Sequence, residues 1–359
     1  VMTKSPLTDA ITCSNAGGYF PTEFKRTGYD AIIFQGRSSK PVYLYLDAQV
    51  AELRPAAHLW GQDTHKTTDL LLSETNAKAR VACIGPAGEA GVRFASIMND
   101  RHRAAGRSGV GAVMGSKHLK AVVVRGAGRV PLADPEGFKA FNKQILDTFR
   151  EGIRETPLGL TVNGTAGVVT VTHNMGVLPT RNWQQGTFDG WEKIHGEELT
   201  RRFFQKNAAC YGCPIGCGRR TKVDDPRFAG EGEGPEYETI YAMGSNCLVE
   251  DLAAITKANY ICNEMGMDTI TMGATIACAM ELAEEGDLTE AVMGRSLSWG
   301  DADALVELTR MTATRTGFGD LLAEGSYRLA ERCGRPELAM VSKKQEFPGY
   351  EPRGAQAMG

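Results

Sequence analysis

Long apolar runs are missing from this sequence. No stretch of about 18 uncharged apolar residues occurs, so no helical membrane span is expected, and no charged-then-apolar leader opens the chain. Histidine is scarce, six in 359 residues, and none follows His195, which weighs against a zinc site built from paired cysteines and histidines. Nine cysteines are too sparse for a disulfide framework, and most stand singly in apolar runs such as Val81-Ala-Cys-Ile84. That usage suits a reducing compartment, read here as cytoplasmic. Neither charge is in large excess, with 40 Lys and Arg against 43 Asp and Glu, so nothing points to nucleic acid or a membrane surface as partner. Repeats, low-complexity segments, the G-x4-G-K-[ST] order and a strand, G-x-G-x-x-G, helix succession are absent too.

What remains is an ordinary globular composition, 42% hydrophobic over 359 residues, long enough for two or three domains at about 100–200 residues each. The order of its patterns predicts an α+β chain, β-rich first and mainly helical afterwards. Short branched and aromatic runs at 29–34, 41–46, 80–84 and 120–124 predict strands, with a helix near Thr67–Ser73. At Asp134-Pro135 a cap and a first-turn proline introduce Phe138, Phe141, Ile145 and Phe149 at helical spacing. A boundary therefore falls near residue 132, giving a β-rich unit over 1–132, a mainly helical unit over 133–342 and the start of a further helical domain at 343–359. The chain reads as truncated at both ends. Glycine-punctuated residues 152–189 predict a long irregular connection, and helices are expected at 251–264, 269–285, 302–316 and 320–333.

Four stretches could carry chemistry. Cys210, Cys213 and Cys217 form a C-x2-C-x3-C loop whose odd thiol count suits a soft metal centre, with an iron–sulfur cluster ahead of zinc or a structural accident. Residues 103–117 string Gly106, Gly109, Gly111 and Gly115 among Arg103, Arg107 and Lys117, either a phosphate cradle or a turn that packs closely. Residues 230–238 set four glutamates among glycines, either as proton carriers of raised pKa or as a solvated turn. Asp268, after Asn263 and Gly266, could simply cap the helix that follows.

Together, in this order, these stretches resemble the tungsten-dependent aldehyde:ferredoxin oxidoreductase family. The likeness runs through Cys13-Ser-Asn-Ala-Gly-Gly18, Gly28–Ile33, Gly106–Lys117 with Leu119–Ala121, Leu178-Pro-Thr-Arg-Asn182, the Cys210–Cys217 loop, Gly234–Thr239, Gly266–Ile270 and Tyr350-Glu-Pro-Arg-Gly354. The resemblance implies tungsten, or molybdenum, held by two pterins, a nearby [4Fe–4S] cluster, and a β saddle under the cofactor covered by helical domains. It implies oxidation of aldehydes to carboxylic acids, with ferredoxin or an electron-transfer subunit as acceptor, in an oligomer. Cys210, Cys213 and Cys217 match three cluster ligands; the fourth cysteine, like an active-site histidine, is expected beyond Gly359. Asn263, Gly266 and Asp268 match a pterin-binding element, with Asn263 where the family has Asp. Asn15, and Ala104 or Ala105, match positions whose backbone carbonyls hold a Mg2+ bridging the pterin phosphates. Gly17, Arg103, Gly106, Arg107, Gly109, Gly111 and Lys117 lie in the same cofactor-binding stretches. Glu236 is the expected acid near the metal, with Glu238 in reserve. A tungsten-dependent reductase subunit acting in a larger complex, for example on aromatic rings, is the alternative within the family; a zinc or cysteine-stapled electron-transfer module is the rival outside it.

Overall fold

Branched residues decide the centre of the first sheet. The computed structural model describes residues 1–152 and 159–354. An antiparallel pair, β1 (Met2–Lys4) with β2 (Ile11–Cys13), precedes helix α1 (Phe20–Lys25). Then come β3 (Val42–Asp47), β4 (Ala51–Pro55), α2 (Thr64–Glu74), β5 (Arg80–Cys83), α3 (Pro86–Glu89), β6 (Ile97–Asn99), β7 (Arg103–Ala105), α4 (Val110–Ser116) and β8 (Leu119–Arg125). Six strands make one sheet in the order β4-β3-β8-β5-β6-β7, parallel only between β3 and β8. β8 is buried from Leu119 to Val124, and a continuous apolar run of that kind suits a strand covered on both faces. Its one buried cation, Lys120, pairs with Glu89 at 2.5 Å and donates to the Gln62 carbonyl.

One strand expectation fails. Residues 31–35 are extended but join no ladder: Ile32 and Phe34 pack on the sheet face while Ile33 is 82% exposed. Alternation satisfied the packing, but the run lies on the face formed by β3 and β8 and not beside an edge strand, so it gains no ladder hydrogen bonds.

Beyond residue 132 lie α5 (Pro135–Gly152), α6 (Leu160–Asn163), α7 (Val168–Asn174), α8 (Gly196–Phe203), β9 (Phe204–Ala208), β10 (Gly218–Val223) and β11 (Gly230–Glu233). The strands form a small antiparallel sheet in the order β11-β10-β9. Helices α9 (Tyr237–Met243), α10 (Leu252–Met265), α11 (Thr269–Glu284), α12 (Glu290–Met293), α13 (Ala302–Ala313), α14 (Gly319–Leu322) and α15 (Ser326–Arg332) follow, and a last pair, β12 (Val341–Ser342) with β13 (Gln345–Glu346), sits near the end. The connection expected to be irregular instead contains α6 and α7; Val169 of α7, with Ala166 and Leu178 on either side of it, finds a buried place against the helices. The single helix expected over 320–333 is two, interrupted at Gly325, whose φ of +86° ends the helical path. Helix α11 is buried from Ile270 to Leu282, Cys278 included.

The main core does not stop at residue 132. Ala87, Val92, Phe94 and Ala95 share one cluster with α9, α10 and α11, so sheet and helices are packed as one body. Among the described residues no helix is long and apolar enough to cross a membrane.

Candidate cofactor site

The element at Asn263–Asp268 is set by the end of α10. Gly266, at φ +78°, caps that helix in the left-handed conformation and turns the chain back along residues 94–96. Ser96 N donates to Gly266 O at 2.9 Å and Asp268 N to Phe94 O at 3.1 Å, which stitches this turn to the sheet-bearing part. Asp268 does cap α11, accepting from Ile270 N and Thr271 N, and it also faces Arg107, whose Nε lies 3.1 Å from Oδ2. Arg107 donates in addition to the carbonyl of Glu346. The Glu346 carboxyl is fully buried and accepts from Ser326 and Thr271, and burial raises its pKa. Asn263 donates from Nδ2 to Glu233 O at 3.2 Å.

The cysteine loop is the connection from β9 to β10. Gly212 and Gly216, both at positive φ, let it fold back on itself, and Cys213 N donates to Cys210 O at 3.1 Å. Tyr211 N donates to Gly18 O at 3.2 Å, so the loop is clipped to the turn after β2. At Gly17 a Cβ would stand 2.8 Å from Cys210 Sγ; a side chain there would push the thiol away. Asn99 Nδ2 holds the Gly17 carbonyl at 2.9 Å, and Asp100 accepts from Tyr19 N and Phe20 N. Asn15 precedes this turn, and Ala104 and Ala105 lie in β7, paired with Met98 and Ile97. Beside the loop Arg103 makes a 2.5 Å ion pair with Glu233. Burial first, and then the Glu236 charge, push the Cys217 thiol above its usual pKa against the pull of Arg103.

The glutamate segment is mostly inside the protein. Glu233 is 8% exposed; Glu236 precedes α9 and accepts from Thr165; Glu238 accepts from Gly349 N at 3.0 Å. Burial drives the Glu238 carboxyl up to about 7, with Gly349 and Arg107 pulling down and Asp268 adding to the rise. Only Glu231 in this group is exposed, and it stands in β11 and not in a turn.

The glycine-rich stretch divides. A Cβ on Gly109, Gly111 or Gly115 would meet the backbone of Arg93, Ser96 or Gly88 at 1.9–2.3 Å, so these three let segments approach closely, whereas Gly106 meets nothing nearer than 3.8 Å. Lys117 donates to Gly36 O, apart from Arg103 and Arg107. Arg219 is another surprise: it is buried at 2% exposure, donating to Asn207 and to Thr161 O, because strand alternation turns it inward while Arg220 and Lys222 face out. Thr165, Asn99, Asp100 and Glu346 carried no motif in the sequence; only their contacts reveal them.

Among the described residues no three His, Cys, Asp or Glu side chains converge into a ready coordination shell, the loop cysteines included. The donor set still fits a cluster: three free, part-exposed thiols on one short loop, with Gly17 leaving room at Cys210.

Comparison with known proteins gives a consistent result. Residues 1–126 match the family model described as aldehyde ferredoxin oxidoreductase, N-terminal domain, and residues 144–359 match the model for domains 2 and 3 of the same family. A tungsten-containing aldehyde ferredoxin oxidoreductase of Pyrococcus furiosus is 46% identical, with 100% of this chain and 59% of the relative covered. The protein of that name from Thermococcus kodakarensis is 47% identical with the same coverage. Among solved structures, the active site complex BamBC of benzoyl coenzyme A reductase bound to 1,5-dienoyl-CoA superposes with a TM-score of 0.83 at 29% identity, covering 97% of this chain and 55% of that one. The chain thus spans 59% of the length of the curated relatives it matches.

Proposed function

The chain belongs to the aldehyde ferredoxin oxidoreductase family, and from that premise we propose that it is the cofactor-binding part of an enzyme that oxidises aldehydes to carboxylic acids at a tungsten or molybdenum bis-pterin centre. A [4Fe–4S] cluster would supply the route for electrons to ferredoxin or another low-potential acceptor. One observation carries this reading: the segment 233–238 runs from the cluster loop to the pterin element. Glu233 pairs with Arg103 beside the cysteines, Glu236 acts on the Cys217 thiol, and Glu238 lies in the field of Arg107 and Asp268.

When bound, the pterin-held metal supplies a two-electron acceptor and the cluster a one-electron relay. Cys210, Cys213 and Cys217 would hold the cluster. Asn263, Gly266, Asp268 and Arg107 would hold one pterin, and the carbonyls of Asn15 and of Ala104 or Ala105 would take the magnesium. We give the proton-handling role to Glu238 ahead of Glu236. Its carboxyl, near 7, exchanges protons at working pH, and it can take the proton released as water adds to the aldehyde carbon. Glu236 is already engaged by Thr165. Trp183, Tyr241 and Phe347 make an edge-to-face cluster over this region and exclude water from it.

The test is metal analysis and a visible spectrum of the full-length protein, followed by aldehyde-dependent viologen reduction. Iron at about four per chain with tungsten or molybdenum, and turnover with aldehydes, is the expected result; zinc with no visible absorption would overturn it. The likeness to the benzoyl coenzyme A reductase complex favours one second reading, a reductive subunit. Metal content as above without aldehyde oxidation would select that reading.

A further inference from the structure

The hairpin that carries the cysteine loop has a basic outer face on which, among the described residues, Lys222 is paired with Asp224 while Lys206 and Arg220 are not paired. In β10, Arg219, Thr221 and Val223 are buried while Arg220 and Lys222 are exposed. In β9, Lys206 is exposed and stands directly opposite Arg220 in the antiparallel register. Like charges placed so cost stability, and among the described residues neither Lys206 nor Arg220 forms an ion pair. Nearby carboxylates are taken by other cations, Asp69 by Arg101, Asp224 by Lys222 and Glu233 by Arg103, which leaves Lys206 and Arg220 as the uncompensated pair. Lys206, Arg220, Lys222 and Arg101 line a groove of about 330 Å³ in which Glu231, opposite Lys222 in the β10–β11 register, is the one carboxylate among the described residues. This concentration of positive charge occurs on a chain whose net charge is −3.

The groove is next to the loop. Gly218 and Ala208 close the base of the cysteine loop, and Arg220 with Lys206 is the pair two residues further along, roughly 7 Å away at strand spacing. In the same loop Tyr211 is 51% exposed and Tyr19 beside it 38%, their rings edge to face at 6.0 Å. Arg26 donates to the Tyr211 hydroxyl at 3.2 Å, and Arg80 lies over the Tyr19 ring. Tyrosine and arginine are the residues in which binding energy at protein interfaces is concentrated.

We propose that this face, from Arg26 and Tyr211 across the cysteine loop to Lys206 and Arg220, is the docking surface for an acidic one-electron carrier protein. The proposal rests on the reading of Cys210–Cys217 as the electron exit. Charge complementarity commits the occupant: an acidic protein neutralises Lys206 and Arg220, while Tyr211 and Tyr19, which do not line the groove, extend the contact beyond what a small anion in it would reach. Oxidation of one aldehyde with one water to the acid releases two electrons and two protons. Two carriers therefore dock in turn, and each leaves reduced by one electron.

The experiment uses the full-length holoenzyme and its K206E/R220E double variant, assayed with aldehyde and either an acidic [4Fe–4S] ferredoxin or benzyl viologen. Electrostatic steering changes association rates by about 10–1000-fold, so at low salt the ferredoxin KM should rise at least about tenfold in the variant. The fall of kcat/KM with added salt should flatten, and viologen turnover should stay unchanged. The charge-conserving K206R/R220K should keep the ferredoxin kinetics of the unaltered enzyme. An unchanged ferredoxin KM and salt slope in K206E/R220E would overturn the proposal. Failure of the unaltered holoenzyme to reduce viologen with aldehyde is a different result, and it would defeat the functional reading itself.

Discussion

Glu238 is held in an environment that disfavours its charge, and two outcomes follow. Because its folded pKa, about 7, lies above the ordinary value of 4.5, the folded state retains the proton between those values. That contribution to stability is complete below the unfolded pKa and is lost as pH rises through about 7. Glu238→Gln should therefore stabilise the protein relative to the parent at pH 8 by up to about 3 kcal/mol, with little difference at pH 4; equal melting at both pH values would refute the burial argument. In turnover, loss of the proton acceptor should lower kcat by about 100-fold or more with iron and tungsten content unchanged, and the limb near pH 7 should vanish from the rate profile. The sequence showed where the thiols are, since Cys210, Cys213 and Cys217 lie within eight positions. It did not separate Glu238 from Glu236, because the difference depends on Gly349, Arg107 and Asp268, which are near only after folding.

At the scale of elements, α11 shows how the helical part is assembled. Its Gly273 faces α9, and a Cβ there would stand 2.5 Å from the backbone of Ala242. Exchanging glycine for alanine within a helix normally gains about 1 kcal/mol. Here Gly273→Ala should instead lower the melting temperature, since overpacking against backbone costs about 1–3 kcal/mol; a melting point at or above the parent's would show that α9 can move aside. Helices with long periodic patterns, α5, α10, α11 and α13, were legible within a few residues. The run 29–34 was not, because its alternation is real but its hydrogen-bonding partner is a matter of sheet topology. Residues 160–174 were hidden by their glycines: the short helix α7 owes its form to burial of Val169 and Thr172 next to the buried Ala166, a tertiary effect.

The α+β order and the membership of one family were legible over the whole molecule because spaced motifs survive where pairwise contacts cannot be read. Less visible was how completely the first part depends on the second. Phe94 and Ala95 are buried in a cluster shared with α9, α10 and α11, Phe94 O accepts from Asp268 N, and the neighbouring Ser96 N donates to Gly266 O. Residues 1–132 expressed alone should accordingly bind a hydrophobic dye and unfold without a sharp transition, whereas the full-length protein should carry both parts through a common one. A cooperative melt of the isolated fragment would count against this coupling.

The sheet order carries a further consequence for how the protein is made. β3 and β4 form one hairpin, β5, β6 and β7 form a separate meander, and β8 alone hydrogen-bonds to both groups. As the chain leaves the ribosome, the hairpin waits for some 70 residues of synthesis between Pro55 and Arg125, on the order of ten seconds at about 5–20 residues per second. During that interval Leu44 and Leu46 have no neighbour along one edge, so the nascent chain is most open to a chaperone, or to pairing with another copy, until its central strand arrives.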